Sequence, residues 1–520
     1  MARVAAPRRQ AGAARPATRA TAVVDGVRER LIAGQPHPMR AWAWAVLVVE
    51  AVVLVAMLFV HTRWEDEAQA WLLARDVSPL ELITHALRYE GSPGLWHLLL
   101  MPFAKLGLPF ATLGVISAVA ALSAGYLFLR YSPFPAIVRA LFPLSYFVLY
   151  QYGVVARSYC LLAPLLFLVA ILFPKWRQQP LTMALLLCLV ANISVHGMLI
   201  SLGIVAASLP AARRAWPELS LSLRRRHLVA GAIETVVLLA LVAMLWPPAD
   251  LGGPSGWNLS IVHFITTAPF ILVHAVAENV VSLLALAVTA VWLWRERALL
   301  LFVVPTAGLL VLYNVKYFSP WNEGPLVLLW LAVLWIVLAR RVRIGSTRDT
   351  LTVAMCATLG VALIVQVSWS VRTVLHEVAH PYSSSAAVVE YIRNHDLVGP
   401  QLDVAGYAGV AVLSYFSTDV DLSINGGRPT AYWIWSSAAG YLSSQAIVAH
   451  GAEYVLLPVK SASGHFPCLD GYEVVTTFAG GIFYKTHVSE GDGAVLFKRL
   501  PGWSGRQPEK PGDCGSVSVG

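Results

Sequence analysis

The sequence predicts an all-α polytopic membrane bundle, of about eleven transmembrane helices, followed by a small C-terminal α/β domain. Three observations predict it. The 520 residues are 57% hydrophobic and only 13% charged, where an average soluble chain carries about 25% charged residues. Apolar runs of membrane-spanning length recur from about residue 41 to about residue 370. Beyond residue 370 the pattern changes to short apolar runs separated by Gly- and Pro-containing turns.

Residues 1–40 are rich in Ala, Arg and Pro and hold no apolar stretch, the composition of a disordered tail. The Arg8-Arg9 pair lies far from the first apolar run, and that run, Ala41 to Val60, is long enough to be a full span rather than a signal. A polar outer segment, 61–92, follows. Further apolar runs lie near 94–108, 110–129, 134–151, 158–173, 181–210, 228–247, 276–294, 298–315, 323–339 and 350–370. Asn192 to Gly197 interrupt the long run 181–210.

Net charge is +9. Neither a base-stacking aromatic pattern nor an Arg-rich amphipathic helix accompanies it, so the charge is a topology signal and not a nucleic-acid footprint. The first 40 residues carry eight Arg against Asp25 and Glu29, and further clusters stand at Arg213, Arg214 and Arg224 to Arg226, and at Arg340, Arg341, Arg343 and Arg348. All of these belong inside, which places 61–92 and everything after residue 370 outside. If 94–108 crosses and 181–210 is one helix, Arg130, Arg139, Lys175 and Arg177 fall outside. If 94–108 only re-enters and 181–210 is two helices, they fall inside, as the charge rule favours. High Ala, Val, Leu and Arg usage points to a GC-rich bacterial genome, hence a bacterial plasma membrane.

In the region 371–501 the sequence predicts a helix over Ala386–Arg393, and strands at Asp403–Ala405, Asp419–Ile424, Glu453–Val459, Tyr472–Thr477 and Ala494–Phe497. Residues 502–520 read as disordered. Cys160, Cys188 and Cys356 lie in apolar runs as small core residues. Cys468 and Cys514 can pair if the domain is extracytoplasmic. No metal-ligand spacing is present. His376, Glu377 and His380 do not form a His-Glu-x-x-His motif.

The stretch His61 to Arg75 carries Glu65, Asp66 and Glu67 in a row just outside the first span, then Trp71, Leu72 and Leu73 among polar residues, which suits a helix lying in the interface plane. Glu90-Gly91-Ser92-Pro93 leads into the next apolar run. A carboxylate there can take a proton from an attacking hydroxyl, and a second can bind a metal or a sugar hydroxyl; the alternative is a solvated acidic loop. Arg157, with Tyr159, joins two apolar runs and is suited to phosphate, or else snorkels to the headgroups. Lys316 and Tyr317 lie in an aromatic-rich loop running to Trp321 and Glu323, suited to a lipid phosphate and isoprenoid or to an interfacial belt. His196 interrupts an apolar run. Glu50, Glu234 and Glu278 fall in or beside spans and need partners.

The string Asp66-Glu67-Ala68-Gln69-Ala70-Trp71, with Glu90-Gly91-Ser92-Pro93 and the Ala156-Arg157-Ser158-Tyr159 element, resembles the GT-C superfamily, in its branch containing protein O-mannosyltransferases and lipid A aminoarabinose transferases. The resemblance covers roughly residues 41–370. It implies a glycosyltransferase that uses a polyprenyl-phosphate-linked sugar and an acceptor that is a glycan, lipid or protein. Asp66 would be the general base of an inverting transfer and Glu67 its neighbour in the site. Arg157, Tyr159, Glu90, His196, Lys316 and Tyr317 would contact substrates. A divalent ion is left open. Glu65 is not placed in the site. The C-terminal domain has no nucleophile–base–acid constellation, so its expected work is acceptor recognition or covering the site. The rival reading, a transporter of lipid-linked saccharides, calls for inverted repeats and acids at mid-membrane; no repeat is evident, and the acids concentrate in the outer loop.

Overall fold

The computed structural model describes residues 37–252, 258–316, 318–343, 349–397, 402–407, 409–416, 423–424, 428–429, 432–437, 444–502 and 512–518. The chain is mostly helical. Its helices are α1 Ala41–Val60, α2 Glu65–Asp76, α3 Pro79–Glu81, α4 Leu87–Glu90, α5 Leu95–Lys105, α6 Thr112–Tyr131, α7 Ala136–Leu141, α8 Leu162–Leu172, α9 Pro180–Ala191, α10 Val195–Ala215, α11 Leu221–Leu245, α12 Ile261–Val276, α13 Asn279–Arg295, α14 Leu299–Val315, α15 Gly324–Arg343 and α16 Thr350–Ala379. A π-helical segment, Phe147–Val154, follows α7. Seven helical stretches are long and apolar enough to cross a membrane, or eight if the bent pair α12–α13 is one span. Two shorter apolar helices are α9 and α14. The eleven passes expected from apolar runs alone therefore exceed the helices that meet a span's length.

Local chemistry explains the breaks. The run 181–210 is two helices: Asn192 ends α9, and the Ser194 hydroxyl caps α10 by accepting the Gly197 N–H at 3.2 Å. Gly197 is required there, because a Cβ would stand 2.1 Å from Val190 O. Helix α5 has 11 residues, about 16 Å of helix, roughly half the thickness of a hydrocarbon core.

Contacts made by Arg residues and their neighbours tie helix ends together. The His37 N–H donates to Arg130 O at 2.8 Å, and the Arg139 guanidinium lies over Trp42. Arg130 and Arg139 therefore sit at the end where the chain enters α1. His227 Nε2 lies 3.0 Å from Arg177 O, bringing Arg177 beside the Arg-rich start of α11. Arg341 joins the ends of α13 and α15 to the start of α16 through Glu296 and Asp349.

Helix α16 runs nine residues past the expected end of the last span. Then come α17 Ser385–Asn394, β1 Leu402–Val404, α18 Gly409–Leu413, β2 Ser423–Ile424, β3 Arg428–Pro429, α19 Ser444–His450, β4 Tyr454–Val459, β5 His465–Pro467, β6 Tyr472–Phe478, β7 Gly481–Tyr484, β8 His487–Gly491, β9 Gly493–Arg499 and β10 Asp513–Ser516. The main sheet has the order β3-β2-β1-β4-β9-β6. Strand β1 is parallel to both β2 and β4, and β9 is antiparallel to β4 and β6. The helix and the strands at 403, 454, 472 and 494 match the sequence expectation within a residue or two; of the expected strand 419–424, residues 419–422 lie outside the described residues. The expectation of disorder for 502–520 fails at Asp513–Ser516, which pairs with β5 and is tied by the Cys468–Cys514 disulfide.

The α/β domain docks on the bundle. Hairpin β7–β8 turns at Lys485, whose ammonium is buried against Glu323, His274 O and the Trp369 ring. The Tyr484 hydroxyl donates to Glu323 Oε2 at 2.8 Å. Within the bundle, Glu278 accepts from Trp369 Nε1 at 3.0 Å. Glu50 is fully buried with no hydrogen-bond partner among the described residues, and it packs on Gly125, where a Cβ would meet its Oε2 at 2.3 Å.

Candidate active site

Helix α2 was expected to lie in the interface plane. Instead it is enclosed between the bundle and the α/β domain. Glu65 and the whole run Glu67 to Ala74 are buried, because α5 packs on one side of α2 and α18 on another. Within its first turn Asp66 alone stays open, with 27% of its side chain exposed. Three adjacent acids thus meet three different environments.

Glu67 is the most enclosed. Its carboxylate accepts from Arg63 Nη1 at 2.8 Å, the Ala156 N–H at 2.9 Å and the Trp64 N–H at 3.3 Å, and it faces His61 Nε2 at 2.9 Å. The Trp64 bond is one half of a helix capping box. Burial by itself raises its pKa, but His61 and Arg63 outweigh burial and hold the carboxyl below its ordinary value. His61 in turn joins Glu67 to Glu377, 2.6 Å from its Nδ1, and Tyr150 donates to the other Glu377 oxygen. Burial would lower His61; Glu377 and Glu67 overcome it and push the imidazole up to about 9. Glu67 has no lone pair left for substrate. The resemblance placed it in the site beside Asp66; its geometry makes it a positioning residue, which fixes the start of α2 and, through Ala156, the backbone that carries Arg157.

Glu65 holds the α/β domain. Lys460, at the end of β4, contacts both Glu65 and Asp492. Burial pushes Glu65 up to about 8, with Asp492 adding and Lys460 opposing. Two acids thus share one ammonium.

Asp66 faces the opening. Its Oδ2 is 2.9 Å from Arg157 Nη2, and its Oδ1 accepts from the Tyr407 hydroxyl at 3.0 Å. Burial and the Asp66, Glu90 and Glu65 carboxylates push the Tyr407 phenol well above its ordinary range, so it remains a donor. The Arg157 guanidinium lies among the rings of Trp64, Tyr159 and Trp321, with centroids 5.6, 5.6 and 5.8 Å away, inside the range of cation–π attraction. The Tyr159 hydroxyl contacts His196 Nδ1 at 3.1 Å and donates to Asn322 Oδ1 at 3.3 Å. His196 is buried behind that pair, with its Nε2 lacking a hydrogen-bond partner among the described residues.

Glu90 stands on the other flank. It accepts from Gln69 Nε2 at 2.7 Å. Burial pushes it up to about 7, the Gln69 bond opposing and Asp66 adding.

The structure therefore brings Asp66, Arg157 and Glu90 near one another, sets the buried Tyr159 and His196 behind Arg157, and withdraws Glu67 beneath them. Lys316 lies exposed at the end of α14; Tyr317 lies outside the described residues. From their loop it is Trp321 that reaches Arg157. Among the described residues no group of three or more His, Cys, Asp or Glu side chains is placed to hold a metal ion, and His376 stacks on Phe483. Sequence reasoning missed Tyr407 and Lys460. Tyr407 lies three residues past β1 and Lys460 directly after β4, and only the strand order reveals that both strand ends face α2. No family model matches this chain, and no curated protein matches it in sequence.

Proposed function

We propose that this protein is a membrane glycosyltransferase that moves a sugar, with inversion, from a polyprenyl-phosphate-linked donor to an acceptor at the outer face of a bacterial plasma membrane. One observation carries the reading. Amid the buried residues Glu65 to Ala74, Asp66 alone stays open, with a ring-lined guanidinium on one oxygen and a phenol on the other. The likeness of the Asp66–Trp71 and Glu90–Pro93 strings to the GT-C superfamily points the same way.

In this reading the acceptor hydroxyl gives its proton to Asp66 as its oxygen attacks the anomeric carbon. The anomeric C–O bond to phosphate breaks, and the electron pair leaves with the polyprenyl phosphate. Arg157 takes up that charge, as guanidinium pairs well with phosphate oxygens. Donor phosphate thus competes with Asp66 for Arg157, and its arrival frees the carboxylate to act as base. Tyr159, His196 and Asn322 hold the wall behind the guanidinium, and Lys316 supplies positive charge at the rim of the loop that ends at Trp321.

The topology follows the same reading. Seven helices, or eight with the bent pair, have a span's length; the reading adds the shorter α9 and α14 and the segment 136–154 to count eleven passes. An odd number puts the Arg-rich tail inside and the α/β domain outside, where its disulfide belongs.

The test uses the full chain in nanodiscs with a polyprenyl-phosphate sugar and a crude envelope glycan, lipid and protein extract. Consumption of donor, with a product of inverted anomeric configuration, is expected. Donor that binds but is never consumed, or is released unchanged on the opposite face of a vesicle, overturns the reading and favours transport.

A further inference from the structure

The α/β domain turns a ligand-binding edge toward Asp66. In the main sheet β1 has β2 on one side and β4 on the other, both parallel to it. The chain leaves β1 in one direction and returns for β4 in the other, so the carboxyl ends of these two strands form a crevice at a topological switch point. Such crevices are where open α/β sheets bind ligands. Here the crevice opens on α2: Tyr407, just after β1, donates to Asp66, and Lys460, just after β4, contacts Glu65.

An aromatic surface continues from it. The Tyr407 ring lies 4.7 Å from Trp435 and 6.0 Å from Trp433, and the two indoles are 5.9 Å apart. The segment carrying them is pinned to the bundle side. Gln69 accepts the Trp433 N–H at 3.0 Å and donates to Trp433 O at 2.7 Å, with the same amide nitrogen donating to Glu90. The Gly252 N–H donates to Trp435 O at 2.9 Å. Trp433 is buried and Trp435 half-buried. A rigid pair of rings therefore stands beside two carboxylates, Asp66 and Glu90.

That pairing selects a chemistry. Ring faces take the C–H face of a pyranose, while carboxylates accept its hydroxyls. Asp66 and Asp492 face the cations Arg157 and Lys460, and burial pushes Glu65 and Glu90 up to about 8 and about 7, so the wall carries no surplus positive charge for an acidic sugar. We infer that this surface is the acceptor site and that the acceptor is an uncharged glycan, whose terminal sugar stacks on Trp435, backed by the buried Tyr407 ring, with its reacting hydroxyl at Asp66. This rests on the glycosyltransferase reading and assigns its acceptor to a class.

The experiment applies the solubilised full chain to an array of neutral, uronic-acid and phosphorylated oligosaccharides, with decaprenyl phosphate binding measured in parallel. Binding confined to neutral glycans is expected. Trp435→Ala should weaken it at least tenfold and Trp435→Phe should restore most of it, with decaprenyl phosphate binding unchanged in both. Preference for acidic glycans, or equal glycan binding by Trp435→Ala, overturns the assignment. If Asp66→Asn abolishes transfer while Trp435→Ala leaves the acceptor KM unchanged, the acceptor site fails and the enzyme reading stands. If neutral glycans bind through Trp435 but Asp66→Asn transfers normally, the acceptor surface stands and the proposed base fails.

Discussion

The Ala156 N–H donates to Glu67 Oε1 at 2.9 Å, and this bond sets Arg157, the next residue, against Asp66, the residue before Glu67. Two neighbouring acids of one helix thus divide the work: one fixes backbone, the other faces the opening. Glu67→Gln removes charge from a carboxylate that faces Arg63 and His61. Breaking such a buried set costs about 3–5 kcal/mol. The expected result is a large fall in thermal stability in detergent, with Asp66→Asn staying within about 0.5 kcal/mol of the parent. Equal stability in the two variants contradicts the division.

His61 makes that stability pH-dependent. Its folded pKa is raised from 6.5 to about 9 by Glu377 and Glu67, which outweigh burial. A raised pKa means that its contribution is fully present below 6.5 and is lost as pH rises through about 9. Unfolding midpoints should fall across that window, and a flat profile rules out a protonated bridge between Glu67 and Glu377.

Arg157 is predicted to act on donor. A hydrogen bond to a charged group contributes about 1.5–3 kcal/mol, so Arg157→Ala should weaken decaprenyl phosphate binding roughly 10- to 100-fold. Arg157→Lys should recover only part, because an ammonium neither forks onto phosphate nor stacks among Trp64, Tyr159 and Trp321 as a planar guanidinium does. Unchanged phosphate binding in Arg157→Ala assigns the ring-lined guanidinium to holding Asp66 alone.

The disulfide reports topology. In intact cells Cys468 and Cys514 should resist thiol alkylation until a membrane-impermeant reductant is added. The pair closes a loop with a sequence separation of 46, and its loss should destabilise the α/β domain by roughly 2–4 kcal/mol. Alkylation without reductant places the domain on the reducing side.

Much of the bundle is legible in the sequence, since a span needs only length and apolarity, and Asn192 to Gly197 already signals the break between α9 and α10. The apolar run near 134–151 reads as a span but folds as a short helix, a 3-10 turn and a π-helical segment, which periodicity does not reveal. Asp66 and Arg157 stand out as charges beside apolar runs. Glu67 reads the same as Asp66 because its burial depends on Ala156 and His61, and through His61 on Glu377, 310 residues further on. Tyr407 and Trp435 were hidden for a related reason: their place beside Asp66 comes from strand order, and nothing local in the sequence encodes it. The strand at Asp513–Ser516 was missed because the disulfide, and not apolar alternation, holds it.

The most direct measurement is single-turnover transfer by Asp66→Asn in nanodiscs, with decaprenyl phosphate binding followed in the same preparation. The substitution keeps the side chain's size and its place beside Tyr407 and removes its basicity. A rate lower by ~10²–10⁴-fold is expected, with the protein folded and donor binding intact. Transfer at the parent rate, from a variant that binds donor equally well, contradicts it.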